Sequence, residues 1–123
     1  MSQRSRKLRD TTDGGMMFWC SACDMPHRVG VGEGAAPRWG WNGDVEHPTF
    51  TPSVLVTWRR WVPPATTQDV FNAIKRGEIV QTSVPQVCHS FVTDGRIQYL
   101  SDCTHAMAGQ TKELADWPAE WDE

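Results

Sequence analysis

The sequence predicts a small, mainly β domain of α+β class, with one short helix and antiparallel hairpins stapled by a structural zinc site. Three observations predict it. Residues 53–61 alternate, with Val54, Val56 and Trp58 on one side and Leu55, Thr57 and Arg59 on the other, the period of a half-buried strand. Asp94-Gly95 sits between alternating apolar residues, the favoured composition of a two-residue hairpin turn. Of the four cysteines, two form a tight CxxC turn and two lie on that hairpin.

Along the chain, residues 1–15 lack apolar periodicity, end in Gly14-Gly15 and read as a disordered basic arm. Met16-Met17 stands just before Phe18-Trp19-Cys20, so either methionine is an alternative initiator and the arm an extension of the native product. The zinc-stapled domain is expected over residues 16–112. It opens with a short strand at 18–20, a turn around Cys23, and a second strand near 28–31. Gly30, Gly32 and Gly34 make the next loop flexible. Trp39 and Trp41 alternate with small or polar neighbours as in a half-buried strand, and Asn42-Gly43 signals a tight turn. Pro48 and Pro52 exclude helix between His47 and Ser53. Thr67 can cap a helix over residues 68–76, with Val70, Phe71 and Ile74 as its apolar stripe and Gly77 as its stop. Strand signals resume at Ile79-Val80 and from Gln86 onward. Residues 113–123 read as an acidic tail carrying Trp117 and Trp121.

The formal charge of −3 is uneven: residues 1–15 carry +2, which leaves −5 for the rest. An acidic body attracts no phosphate backbone, so a nucleic-acid partner is disfavoured. The chain has neither an apolar run of membrane-spanning length nor the apolar region of a signal peptide, which points to the cytoplasm and away from secretion or a membrane. In a reducing compartment the cysteines read as thiolate ligands and not as disulfides.

Cys20-Ser21-Ala22-Cys23 places two sulfurs on one side of a turn, as two corners of a tetrahedron require. Counting outward from Asp94-Gly95, Val92 faces Ile97, Ser90 faces Tyr99 and Cys88 faces Ser101. The pleat then puts Cys88 and Cys103 on one face and His89 and Asp102 on the other. The expected ligand set is therefore Cys20, Cys23, Cys88 and Cys103 around Zn2+, with His105 or His27 as substitutes.

The elements FWCSAC, WGWNGD, PTFTPS and CHSFVTDGRIQYLSDCTHAMAGQT, with the acidic tail, resemble a small phage and prophage protein family over about residues 17–116. Members carry labels such as "ammonia monooxygenase" and "anaerobic dehydrogenase", for which the chain offers neither a membrane-bound copper site nor a nicotinamide-binding glycine-rich turn. The resemblance implies no particular activity. It implies a start just before FWC, a location in the host-cell cytoplasm with virion association as a variant, and a host or virion protein as partner.

Three functions follow from the residues. A closed four-thiolate site leaves no open position for a catalytic water, which favours a protein-binding or structural accessory module, with Trp39, Trp41, Trp117 and Trp121 as its binding surface. The alternative is a metal-dependent or His/Asp-based hydrolytic enzyme. It would use His89, Asp102 and His105, with Ser90 or Thr104 as the nearby hydroxyl, because a carboxylate beside an imidazole sets its tautomer. A nucleic-acid-binding zinc protein is the second alternative.

Overall fold

Alternating side chains and tight turns build two antiparallel sheets in the computed structural model, which describes residues 2–32 and 37–121. The first sheet runs β1 (Ser2–Gln3), β2 (Leu8–Asp10), β3 (Gly15–Cys20) and β4 (Met25–Gly30) in order. The second runs β5 (Gly40–Trp41), β6 (Phe50–Val62), β7 (Thr82–Thr93), β8 (Arg96–Tyr99) and β9 (Thr111–Glu113). Between β6 and β7 stands α1 (Gln68–Lys75), capped by Thr67, whose Oγ1 accepts the Val70 N–H at 3.2 Å. The mainly β class with one helix is thus the architecture present. No helix among the described residues is long and apolar enough to cross a membrane.

The core lies between the sheets. Leu8, Phe18 and Val29 from the first and Val54, Val92 and Tyr99 from the second are each 1% exposed or less. Phe18 stacks on Phe50 across the gap at 6.1 Å. Each such side chain contributes about 1.5–3 kcal/mol by leaving water.

The β7–β8 hairpin has the register that its turn predicts, Thr93 with Arg96, Val92 with Ile97 and Ser90 with Tyr99. Asp94 and Gly95 take φ values of 50° and 75°, as a primed turn demands. A Cβ on Gly95 would lie 3.1 Å from the His47 Cα. Gly95→Ala is therefore expected to cost about 1–3 kcal/mol, read as a lower urea midpoint at unchanged slope. The ladder stops at Tyr99, so Cys88 does not pair with Ser101 as the count predicts. Residues 100–103 instead form a turn in which the Cys103 N–H donates to the Leu100 carbonyl at 3.2 Å.

Both ends of the chain differ from expectation. Residues 2–15, read as a disordered arm, contribute β1 and β2. Leu8 is fully buried, and Arg9, 1% exposed, donates to the Ser5 carbonyl and lies 4.9 Å from the Trp117 ring. The segment read as an acidic tail buries Leu114 and Trp117. The Trp117 backbone and indole N–H groups donate to the carbonyls of Arg6 and Lys7, at 2.9 and 3.1 Å. Each end is ordered by the other, across roughly the whole chain, so local composition carries no trace of it. Gly34, Asp122 and Glu123, part of the loop and tail expectations, lie outside the described residues.

Candidate functional site

The β6–β7 pairing contains an irregularity that creates a site. Phe50 pairs with Val92 but Val54 pairs with Ser90, so residues 51–53 stand against Phe91 alone. Such a bulge re-aims side chains, and it tolerates Pro52, which has no N–H to give a ladder. Beyond it β6 alternates regularly, Leu55 facing His89 and Val56 facing Cys88. The bulge delivers the Ser53 hydroxyl to His89: Ser53 Oγ lies 2.9 Å from His89 Nε2. On the other side of the ring, His89 Nδ1 lies 2.9 Å from Asp102 Oδ2. The turn after β8 supplies that carboxylate.

These three side chains form a serine–histidine–aspartate relay on the outer face of the second sheet. Asp102 accepts Nδ1–H, which leaves Nε2 free to accept the serine proton. The side chain of His89 is 25% exposed and that of Asp102 57%, so the relay faces solvent. Trp39 braces the serine from the chain side, its indole N–H donating to the Ser53 carbonyl at 3.1 Å.

The expected pair His89 and Asp102 is thus brought together, whereas the expected hydroxyls are not the ones beside it. Ser90 is fully buried on the inner face, and Thr104 bonds to Gln86 and the Val87 carbonyl. His105 accepts the Met107 N–H at Nδ1 and packs edge-on against Tyr99, away from the relay. Ser53 escaped sequence reading because it stands 36 residues before His89 and reaches it only through the bulge. One signal pointed to it: Ser53 shares the parity of Leu55 and Thr57, the exposed side of the strand.

On the inner face, one residue from His89, lies a second cluster. Cys20, Cys23, His27 and Cys88 bring their ligand atoms within 4.8 Å of one another, a group that could hold a metal ion. Period-2 geometry explains it. Phe18 pairs with His27 on β3–β4, so Cys20, two residues on from Phe18, shares their face. The turn after Cys20 adds Cys23, and Cys88 arrives from the opposing sheet with its sulfur 3.9 Å from that of Cys20. The expected ligands Cys20, Cys23 and Cys88 are together, and the fourth member of this group is His27. Cys103 shares a smaller group with Cys88 and His105. Its sulfur accepts the His89 N–H and donates to the His89 carbonyl, both at 3.2 Å.

The donor set fits a metal. His27 is 2% exposed and neither ring nitrogen has a hydrogen-bond partner among the described residues, a state that coordination would relieve. The sulfurs compete for protons. Hydrogen bonds from the Cys23 and then the Cys88 thiol hold Cys20 well below the ordinary thiol range. The same contact with Cys20 pushes Cys23 up to about 12 and raises Cys88 as well. A bound cation would displace those protons and take all three thiolates. Tyr99, 3.3 Å from the Cys20 sulfur, is raised by burial and by that contact. Three thiolates and one imidazole make a closed tetrahedral set.

The tryptophans expected as a binding surface all pack at least partly against the core or against one another. Trp39 and Trp41 pack partly buried against the core, and Trp117 is 5% exposed. Trp121, 40% exposed, packs on Trp19 and Trp117 with ring centroids 5.8 Å apart in each case. Indole surface thus completes a core poor in leucine.

Residues 2–100 match the family model described as bacterial ubiquitination-like system serine protease (BubE), and the chain belongs to that family. The matched span contains Ser53, His89, Cys20, Cys23, His27 and Cys88, and ends just before Asp102. No curated protein and no solved structure matches the chain.

Proposed function

We propose that this chain is a serine hydrolase that cleaves an acyl bond of a protein in a bacterial ubiquitination-like system, with Ser53 as nucleophile. One observation carries the reading: the continuous chain from Ser53 Oγ through His89 to Asp102, both contacts at 2.9 Å. Membership of a family described as serine proteases supports the reaction class. The hydrolytic alternative read from the sequence thereby takes precedence over the accessory-module reading.

Ser53 Oγ attacks the acyl carbon while its proton passes to His89 Nε2. Asp102 holds Nδ1–H and stabilises the imidazolium so formed. The tetrahedral intermediate collapses as His89 gives that proton to the departing group, leaving an ester on Ser53. Water, deprotonated by His89, then attacks the ester, and the proton returns to Ser53 as the acid leaves. The backbone N–H of Ser53 itself would be the donor to the developing oxyanion.

A zinc ion held by Cys20, Cys23, His27 and Cys88 would join the two sheets behind this site. It would supply cross-linking beneath β7, and no step above uses it. Four free cysteines suit a reducing compartment, and the host cytoplasm is the location we assign.

A fluorophosphonate probe tests the reading directly. Mass spectrometry of the labelled protein is expected to find one adduct, on Ser53, that disappears in His89→Ala. Labelling elsewhere, or none, would overturn it.

A further inference from the structure

The edge of β6 beside Ser53 is open, and hydrogen-bond parity says which groups it presents. The carbonyls of Val87 and His89 accept the N–H groups of Thr104 and Leu100, so the odd-numbered residues of β7 direct their backbone groups away from β6. The even-numbered ones bond to β6, pairing with Val54, Val56, Trp58 and Arg60. The N–H and C=O groups of Leu55, Thr57, Arg59 and Trp61 therefore point to the other side. There β5 reaches only Phe50 and Thr51, and Trp39 covers the Ser53 carbonyl. From Leu55 onward the edge meets no further strand among the described residues.

An unpaired row of this kind, roughly 20 Å long, is a template for another strand. Proteins normally shield such an edge, and here it runs straight to the nucleophile. The side chains of Leu55, Thr57, Arg59 and Trp61 stand on the same face as Ser53 and His89, with Leu55 55% and Trp61 58% exposed. Arg59 bonds only to Ser83, and neither it nor Arg60 meets a carboxylate among the described residues, although the chain as a whole is acidic.

We propose that the free edge of β6 takes an extended segment of the protein substrate as an added strand, with acidic residues of that segment near Arg59 and Arg60, and feeds it to Ser53. The proposal rests on the hydrolase reading. Main-chain hydrogen bonds supply the affinity of such strand addition, and the flanking side chains supply its selectivity.

Thr57→Pro tests the edge. It removes an outward-pointing donor and adds bulk there without touching the β6–β7 ladder. The probe is a proteome-derived peptide library, with the rate of fluorophosphonate labelling of Ser53 measured in parallel. Wild type is expected to cleave a subset of peptides, and Thr57→Pro to cleave them at least tenfold more slowly while labelling at the wild-type rate. A second variant, Arg59→Glu with Arg60→Glu, is expected to slow acidic peptides at least fivefold and neutral ones little, and it decides the matter should Thr57→Pro fail to fold. Labelling of wild-type Ser53 without cleavage of any peptide would overturn the edge proposal alone, as would unchanged cleavage by both variants. A wild-type dimer that Thr57→Pro converts to monomer would also overturn it, by assigning the edge to a second copy. Absence of labelling would overturn the hydrolase reading itself.

Discussion

Ser53→Ala is expected to lower kcat by roughly 10⁴- to 10⁶-fold, because nucleophile and base act as one unit and neither works alone. His89→Ala should fall as far, and the double variant little further. Asp102→Asn should be milder. Its side chain is 57% exposed, so water screens the charge it sets against the imidazolium, and a loss of about 10²- to 10⁴-fold is expected. Single-turnover hydrolysis of an activated ester, with folding followed by circular dichroism, measures all four. Strictly additive losses would mean that the three residues do not act in series. A Ser53→Ala protein that keeps wild-type turnover would remove the serine mechanism altogether. Chain order in this relay is serine, histidine, aspartate, and the assignment rests on geometry, since triads recur with unrelated orders.

The second large effect concerns the inner cluster. Stripping the metal, or replacing Cys20 or His27 by alanine, is expected to cost on the order of 10 kcal/mol and to leave the chain unfolded at 37 °C. The size of the effect follows from position: the cluster joins strands of both sheets, and its thiols crowd together without a cation. Cys103→Ser should cost only about 1 kcal/mol, since its sulfur bonds to the His89 peptide and a hydroxyl can do the same. Native mass spectrometry and thermal unfolding, each before and after chelation, check this. A chelated protein with an unchanged Tm would refute the metal site. Equal collapse of Cys103→Ser would instead return Cys103 to the ligand set. On the hydrolase reading, activity should vanish with folding in the Cys20 variant, because Cys88 and His89 are neighbours on one strand.

That adjacency shows how much function was legible in the sequence. A strand sends successive side chains to opposite faces, so counting from Asp94-Gly95 already separates Cys88, turned inward, from His89, turned outward. The same count places Asp102 with His89, and the pair forms even though the ladder frays after Tyr99. The helix cap at Thr67 and the CxxC turn are equally local, determined by residues within a few positions of each other.

What the sequence by itself determined, then, is a β-rich chain with its hairpin register, its thiol cluster in part, and an imidazole–carboxylate pair. Tertiary structure decided the rest. It chose Ser53 as the third member of the relay through a bulge that no periodicity encodes. It brought Cys88 of the second sheet to Cys20, Cys23 and His27 of the first, while the turn after β8 carries Cys103 to the His89 backbone. It also folded both ends of the chain against each other through Trp117. The physical reason is one of range: faces and turns are set by neighbouring residues, whereas a register shift or a docking of sheets is settled by packing between segments far apart in the chain.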